Sequence, residues 1–121
     1  MLFFTSKEKA AIVRVALAMG VVDGNADDKE TALSALIFMK LGIGEYEMDL
    51  AGKLTSEQLK SIISSMTYEE KNFVCSFLAM LIVIDGEITA DEIKLWKVMS
   101  SKFNFPPMSL QEAIDKFSDY V

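Results

Sequence analysis

From Asn72 to Ile84 the chain reads NFVCSFLAMLIVI and carries no charge, and from Ala10 to Val22 it carries only Arg14. In both stretches apolar residues recur at spacings of three and four, the period of a helix. A helix that is apolar on every face must be surrounded by other elements. Two such helices constrain the fold severely: they form its centre, and the rest of the chain wraps them. Neither stretch reaches the roughly 20 residues that a bilayer-spanning helix needs, so both read as core helices. The N-terminal MLFFTSKEK places its charges after its apolar residues, the reverse of a secretory signal, and the expected location is cytoplasmic.

The surrounding segments are expected to be helical as well. No long stretch alternates apolar and polar residues, and proline is absent until Pro106 and Pro107. The pattern predicts an all-α fold, a compact single-domain bundle of about seven helices spanning residues 1–121. The expected spans are Ser6–Val22, Asp27–Leu41, Glu45–Lys53, Ser56–Ser65, Tyr68–Ile84, Ala90–Phe103 and a last helix from just after Ser109 to near Tyr120. Thr55, Thr67 and Ser109 occupy N-cap positions. Glu70 and Glu112, three residues beyond Thr67 and Ser109, complete capping boxes.

The chain also repeats itself. VVDGNADDKETAL laid on VIDGEITADEIKL aligns Asp23 with Asp85, Gly24 with Gly86, Asp27 with Thr89 and Glu30 with Glu92. The same interval aligns Lys40 with Lys102, Leu41 with Phe103 and Ile43 with Phe105. The reading is two pseudo-symmetric α-hairpin units, residues 6–53 and 68–120, each ending in a short helix. Two such units pack most simply face to face about a pseudo-two-fold axis, with the two apolar helices at the centre.

The turn VIDGEITADE looks like the second half of an EF-hand loop, but the chemistry excludes one. With Asp85 at loop position 5, positions 1 and 3 fall on Leu81 and Val83, and on Met19 and Val21 in the first copy. Calcium takes oxygen ligands, and none of these side chains has one. Helix termini explain most of the pattern. Gly24 and Gly86 suit the positive φ at a helix end. Asp27 and Thr89 are N-caps, and Glu30 and Glu92 stand at the box position. Asp23 and Asp85 fit less well, because a carboxylate at a helix C-terminus faces the negative end of the dipole. Two accounts stay open: hydrogen bonds to turn amides, or a hard-oxygen site for calcium or magnesium built from Asp23 and Glu30, and from Asp85 and Glu92.

An apolar helix that ends in D-G-x-[IV]-x-x-x-E and is followed by a second apolar helix resembles the TerB-like (tellurite-resistance) family. Here it reads LAMLIVIDGEITADEI and, more loosely, LAMGVVDGNADDKETA, with Asn25 and Ala26 where the second copy has Glu87 and Ile88. The likeness covers nearly the whole chain. It implies a helical domain with pseudo-two-fold symmetry and a role in resistance to tellurite and other chemical stress. It further implies metal binding by acidic residues, at Asp23, Glu30, Asp85 and Glu92, and complexes near the inner membrane face. It implies no enzymatic activity.

The remaining residues narrow the classes. The chain has no histidine, which removes Ser–His and Cys–His nucleophiles and imidazole ligands. Its one cysteine, Cys75, lies in the apolar run and reads as buried and inert. A net charge of −6 with scattered Lys and Arg argues against nucleic acid as a partner. The Gly-x-Gly of KLGIGEYE lacks a preceding strand and a third glycine, so it reads as a loop. The carboxylates of DLAGKLTSEQLK and QEAIDKFSDY read as solvated helix faces. Met19, Met39, Met66, Met80 and Met99 sit at core-like positions, and Trp96 spaces with Ile93 and Met99 as a core residue. The expected function is a non-enzymatic domain that binds a partner protein, with calcium or magnesium as its candidate ligand. The alternatives are a metal-dependent hydrolase using an acidic site and a purely structural interaction module.

Overall fold

The computed structural model describes residues 3–23, 28–84 and 89–120, and of residues 19–23, 28 and 30 the backbone alone. Its elements are α1 (Ser6–Asp23), α2 (Asp28–Leu41), α3 (Glu45–Lys53), α4 (Ser56–Ser64), α5 (Tyr68–Val83), α6 (Ala90–Lys102) and α7 (Leu110–Phe117), with no strand among the described residues. The all-α expectation holds. No helix among those residues is long and apolar enough to cross a membrane.

The helix starts follow from local chemistry. Thr55, Thr67, Thr89 and Ser109 each accept a bond from the backbone N–H three residues on, and Gln58, Glu70, Glu92 and Glu112 reach back to the cap N–H. A further box opens α1, where Glu8 Oε1 takes the Thr5 N–H at 2.8 Å and Thr5 Oγ1 takes the Glu8 N–H at 3.2 Å. The expected Asp27 cap, like Gly24, Gly86 and Asp85, lies outside the described residues.

The ends of α2 and α6 are the same motif at aligned positions. Ile43 N–H reaches the Phe38 carbonyl, and Gly42 N–H reaches that of Met39. Phe105 N–H reaches Ser100, and Asn104 N–H reaches Ser101. These are Schellman caps, which need a left-handed residue. Gly42 has φ 70° and Asn104 φ 57°. The Gly-x-Gly signal is thus a helix connection, with Gly44 as the N-cap of α3.

The last helix is shorter than its sequence pattern. It stops at Phe117 rather than near Tyr120, because Asp119 N–H turns back to the Lys116 carbonyl and Tyr120 N–H to that of Phe117. These tight i→i+3 bonds end the α-helical ladder and carry Tyr120 out of helical register. The other boundaries match expectation or differ from it by one residue, within the usual uncertainty of helix ends, and α3 matches at both ends.

Helices α1 and α5 are the centre, as their composition requires. Residues 72–79 of α5 are all buried, and so are Ala10, Ala11, Ile12, Val13, Val15 and Ala16 of α1. Helix α1 packs most extensively on α3, and α5 on α7, while α1 and α5 also pack on each other. Trp96, Met66 and Met99 are buried as expected, and Met80 is partly buried. Met39 corrects its expectation. It is 72% exposed, because α2 turns Ile37 rather than Met39 into the core.

Candidate functional site

Four separate parts of the chain meet in one cleft. Phe4 precedes α1, Ile37 and Leu41 come from α2, Phe73 from α5, and Tyr120 from the turn after α7. Lys40, Glu69 and Asp119 complete its lining, and its volume is ≈ 580 Å³. That volume lies within the range of small-ligand and side-chain pockets.

The floor is aromatic. Phe73 packs on Phe4 at a centroid distance of 5.5 Å and receives Tyr120 edge-on at 5.3 Å and 88°. Behind it Phe77 stacks on Phe73 at 6.4 Å, and Phe38 of α2 meets Phe77 edge-on, also at 6.4 Å. Such pairs contribute about 0.5–1.5 kcal/mol each beyond their area burial. The ladder ties α2, α5 and the C-terminal turn into one wall.

The rim is acidic by two carboxylates to one ammonium, Glu69 and Asp119 against Lys40. The effect registers on Tyr120, whose hydroxyl is held above its ordinary pKa of 10.0, first by burial and then by the charges of Asp119 and Glu69. Close behind, burial pushes the Cys75 thiol up to about 12, with the Lys116 ammonium working weakly the other way. A thiol that stays protonated is no nucleophile at neutral pH, so Cys75 is the inert core residue its sequence context predicts.

A second cleft of ≈ 670 Å³ runs between α6 and the α7 start, lined by Ile93, Trp96, Phe105, Pro106 and Leu110 among others. Its one charged lining residue is Lys97. It lacks the paired chemistry of the first cleft.

Of the four candidate cation ligands, one has a described side chain. Asp23 is the last residue of α1, Glu30 lies in the first turn of α2, and Asp85 falls outside the described residues. Glu92 is only 1% exposed, the most deeply buried carboxylate among those described. Its Oε1 accepts both the Thr89 N–H at 3.1 Å and the Thr89 hydroxyl at 3.0 Å, and its own N–H donates to Thr89 Oγ1 at 3.1 Å. The box role read from sequence is therefore real. Among the described residues, no group of three or more His, Cys, Asp or Glu is placed to hold a metal ion.

Sequence reasoning missed the aromatic cleft. Phe4, Ile37, Phe73 and Tyr120 sit far apart in the chain, and each reads as ordinary core. The Thr5–Glu8 box had a legible signal in T-x-x-E.

No family model matches the chain, and no curated protein matches it. Among solved structures it is similar to PG1108, a protein of unknown function from Porphyromonas gingivalis W83. The two share 28% identity at a TM-score of 0.82, over 98% of this chain and 92% of that chain. The similarity supports the all-helical single-domain fold over essentially its full length.

Proposed function

We propose that this chain is a non-enzymatic interaction domain of the TerB-like type, which docks a basic, apolar-anchored segment of a partner protein in the aromatic cleft. The observation that carries the reading is the combination in one cleft of a Phe4–Phe73–Tyr120 floor with a Glu69–Asp119 rim. Aromatic pockets take the anchor side chains that dominate binding energy. An acidic rim on a chain of net charge −6 favours a basic flank and steers its approach. The sealed Cys75 thiol and the lack of histidine weigh against nucleophilic catalysis. The setting proposed with it is the cytoplasm, with peripheral association at the inner membrane face through partners and a role in chemical-stress resistance, as the resemblance implies.

The test is a fluorescence-anisotropy screen of short peptides that carry one aromatic or leucine anchor among Lys and Arg. Binding should fall by about tenfold or more in Tyr120→Ala, the loss of one well-packed anchor contact. Charge reversal, Glu69→Lys with Asp119→Lys, should shift preference to acidic peptides. If no peptide binds, or the reversed variant keeps the wild-type preference, the reading fails.

One observation favours a second ligand. Glu92 is drawn into the interior at a position where the TerB-like resemblance places an acidic ligand, and its hard oxygens suit calcium or magnesium. A ligand at about 100 times its dissociation constant stabilises by about 2.7 kcal/mol. EDTA-stripped wild type should therefore melt several degrees higher in millimolar calcium or magnesium, and Asp85→Asn should not. Equal melting with and without the ions sinks this reading.

A further inference from the structure

Helix α2 carries an outward face that the fold leaves uncovered. Inward it offers Leu33, Ile37, Phe38 and Leu41 to the core. Outward it exposes Ala32, Ala35, Leu36 and Met39, the last two by 42% and 72%. These four follow the i, i+3, i+4, i+7 spacing that places residues on one helical face. From Thr31 to Met39 the helix has no charge at all. The outward face of α4 is the ordinary contrast, with Glu57, Gln58 and Lys60 exposed. A solvent face of a surface helix is normally polar, and a contiguous apolar stripe marks an interaction surface.

The order of sizes along the stripe selects its occupant. Reversed end for end, it becomes complementary to itself. With a two-fold axis passing between Ala35 and Leu36, Met39 of one copy falls opposite Ala32 of the other, and Leu36 opposite Ala35. Every large side chain then meets a small one, as an isologous interface requires. The charges of the helix ends agree. Lys40 closes the C-terminal turn, while the N-terminal turn reads Asp28-Lys29-Glu30 in sequence, one net negative charge. An antiparallel pair brings these opposite ends together and also opposes the two helix dipoles.

We propose that α2 pairs with α2 of a second copy of this chain, antiparallel, through Ala32, Ala35, Leu36 and Met39. A single pair of helices each about 21 Å long makes an interface at the small end of specific ones. The dimer is accordingly weak and concentration-dependent.

Sedimentation equilibrium of the full chain, from about 1 µM to about 500 µM, covers the affinities such an interface gives. The average mass should climb from 13.5 kDa toward twice that value. Met39→Glu should stay monomeric throughout, and Val98→Glu, exposed on α6 away from the stripe, should dimerise like wild type. Ala35→Met sets bulk against bulk and should weaken association by about tenfold or more, although it makes the face more apolar. Circular dichroism checks that each variant is folded. A wild type that stays monomeric at the highest concentration overturns self-pairing and assigns the face to some other occupant. A dimer indifferent to Met39→Glu, or strengthened by Ala35→Met, overturns this interface and register.

Discussion

Glu92 and Glu112 do the same local job in different surroundings, and comparing them measures what burial adds. Each completes a capping box, with Thr89 and with Ser109. Glu112 is solvent-exposed, and its Oε1 takes the Ser109 N–H at a long 3.3 Å. Glu92 is buried and accepts two bonds from Thr89, at 3.1 and 3.0 Å. Removing an exposed cap partner costs about 0.5–1 kcal/mol, the low end of cap substitutions. Removing Glu92 costs that plus the penalty of leaving the part-buried Thr89 donors without their acceptor, about 1–3 kcal/mol. The desolvation cost of the carboxylate, recovered when it is deleted, offsets part of this. The net expectation is about 1–3 kcal/mol for Glu92→Ala against at most about 1 for Glu112→Ala. Folded domains are stable by only about 5–15 kcal/mol, so the first variant should be visibly fragile. In urea, where small proteins lose about 1–3 kcal/mol per molar, the midpoint should drop by about 1–2 M for Glu92→Ala and by less than about 0.5 M for Glu112→Ala. Glu92→Gln, which keeps an acceptor and the shape, should fall between them. Equal midpoints for the two alanine variants would refute the argument that burial strengthens this cap.

Three further outcomes follow from single residues. Ser76 is fully buried, and its Oγ has no partner among the described residues; Ser76→Ala should raise the urea midpoint by an amount worth about 1 kcal/mol, and a loss of stability would mean that the hydroxyl is bonded. Gly42 and Asn104 hold left-handed backbone, so Gly42→Ala should cost about 1–2 kcal/mol while Asn104→Gly should be neutral or slightly stabilising, and the reverse order in thermal melts contradicts the cap assignment. The Cys75 thiol ionises at 9.0 ordinarily and at about 12 in the fold. Between those values the unfolded chain releases a proton that the folded chain keeps, so this stability is complete below pH 9 and falls by up to about 1.4 kcal/mol per pH unit above it. Cys75→Ala should flatten that alkaline slope in urea titrations, and an unchanged slope places the effect elsewhere.

The parts of this fold that could be read in advance are those set by neighbours in sequence. Capping boxes span four residues, so Thr67 with Glu70, Thr89 with Glu92 and Ser109 with Glu112 carry their own explanation. The uncharged Asn72–Ile84 run announced its own burial, because no other solvent suits it. The cleft was not legible for the opposite reason. Its aromatic contacts join residues from the N-terminal segment, α5 and the C-terminal turn, and no local rule orients Tyr120 across Phe73. Tyr120 enters the cleft because α7 stops early, at bonds that a periodic reading of QEAIDKFSDY passes over. Met39 failed on a related point. Its spacing marked it as apolar-face, but α2 has two apolar faces, and spacing alone does not say which one meets the core.

Those two faces place both proposed interactions on one helix. Ile37, Lys40 and Leu41 line the cleft, while Leu36 and Met39 face outward. Helix α2 is lightly held. Among the described residues it packs on α1, supplemented by the Phe38–Phe77 ring pair. An element with few buried contacts opens at low free-energy cost, so its position is the softest part of the cleft wall. A second copy seated on the outer stripe restrains that wall and lowers the ordering cost left for a peptide to pay. The sign of the coupling is therefore positive, and linkage makes it reciprocal: peptide in the cleft tightens the dimer by the factor that the dimer tightens peptide binding. Salt separates the two events, since screening weakens a basic peptide on an acidic rim but relieves repulsion between two copies of net charge −6. Peptide titrations below and above the dimerising concentration should give different affinities in wild type and one affinity in Met39→Glu. Identical behaviour of the two proteins would mean that α2 is rigid without a partner and that its two faces act independently.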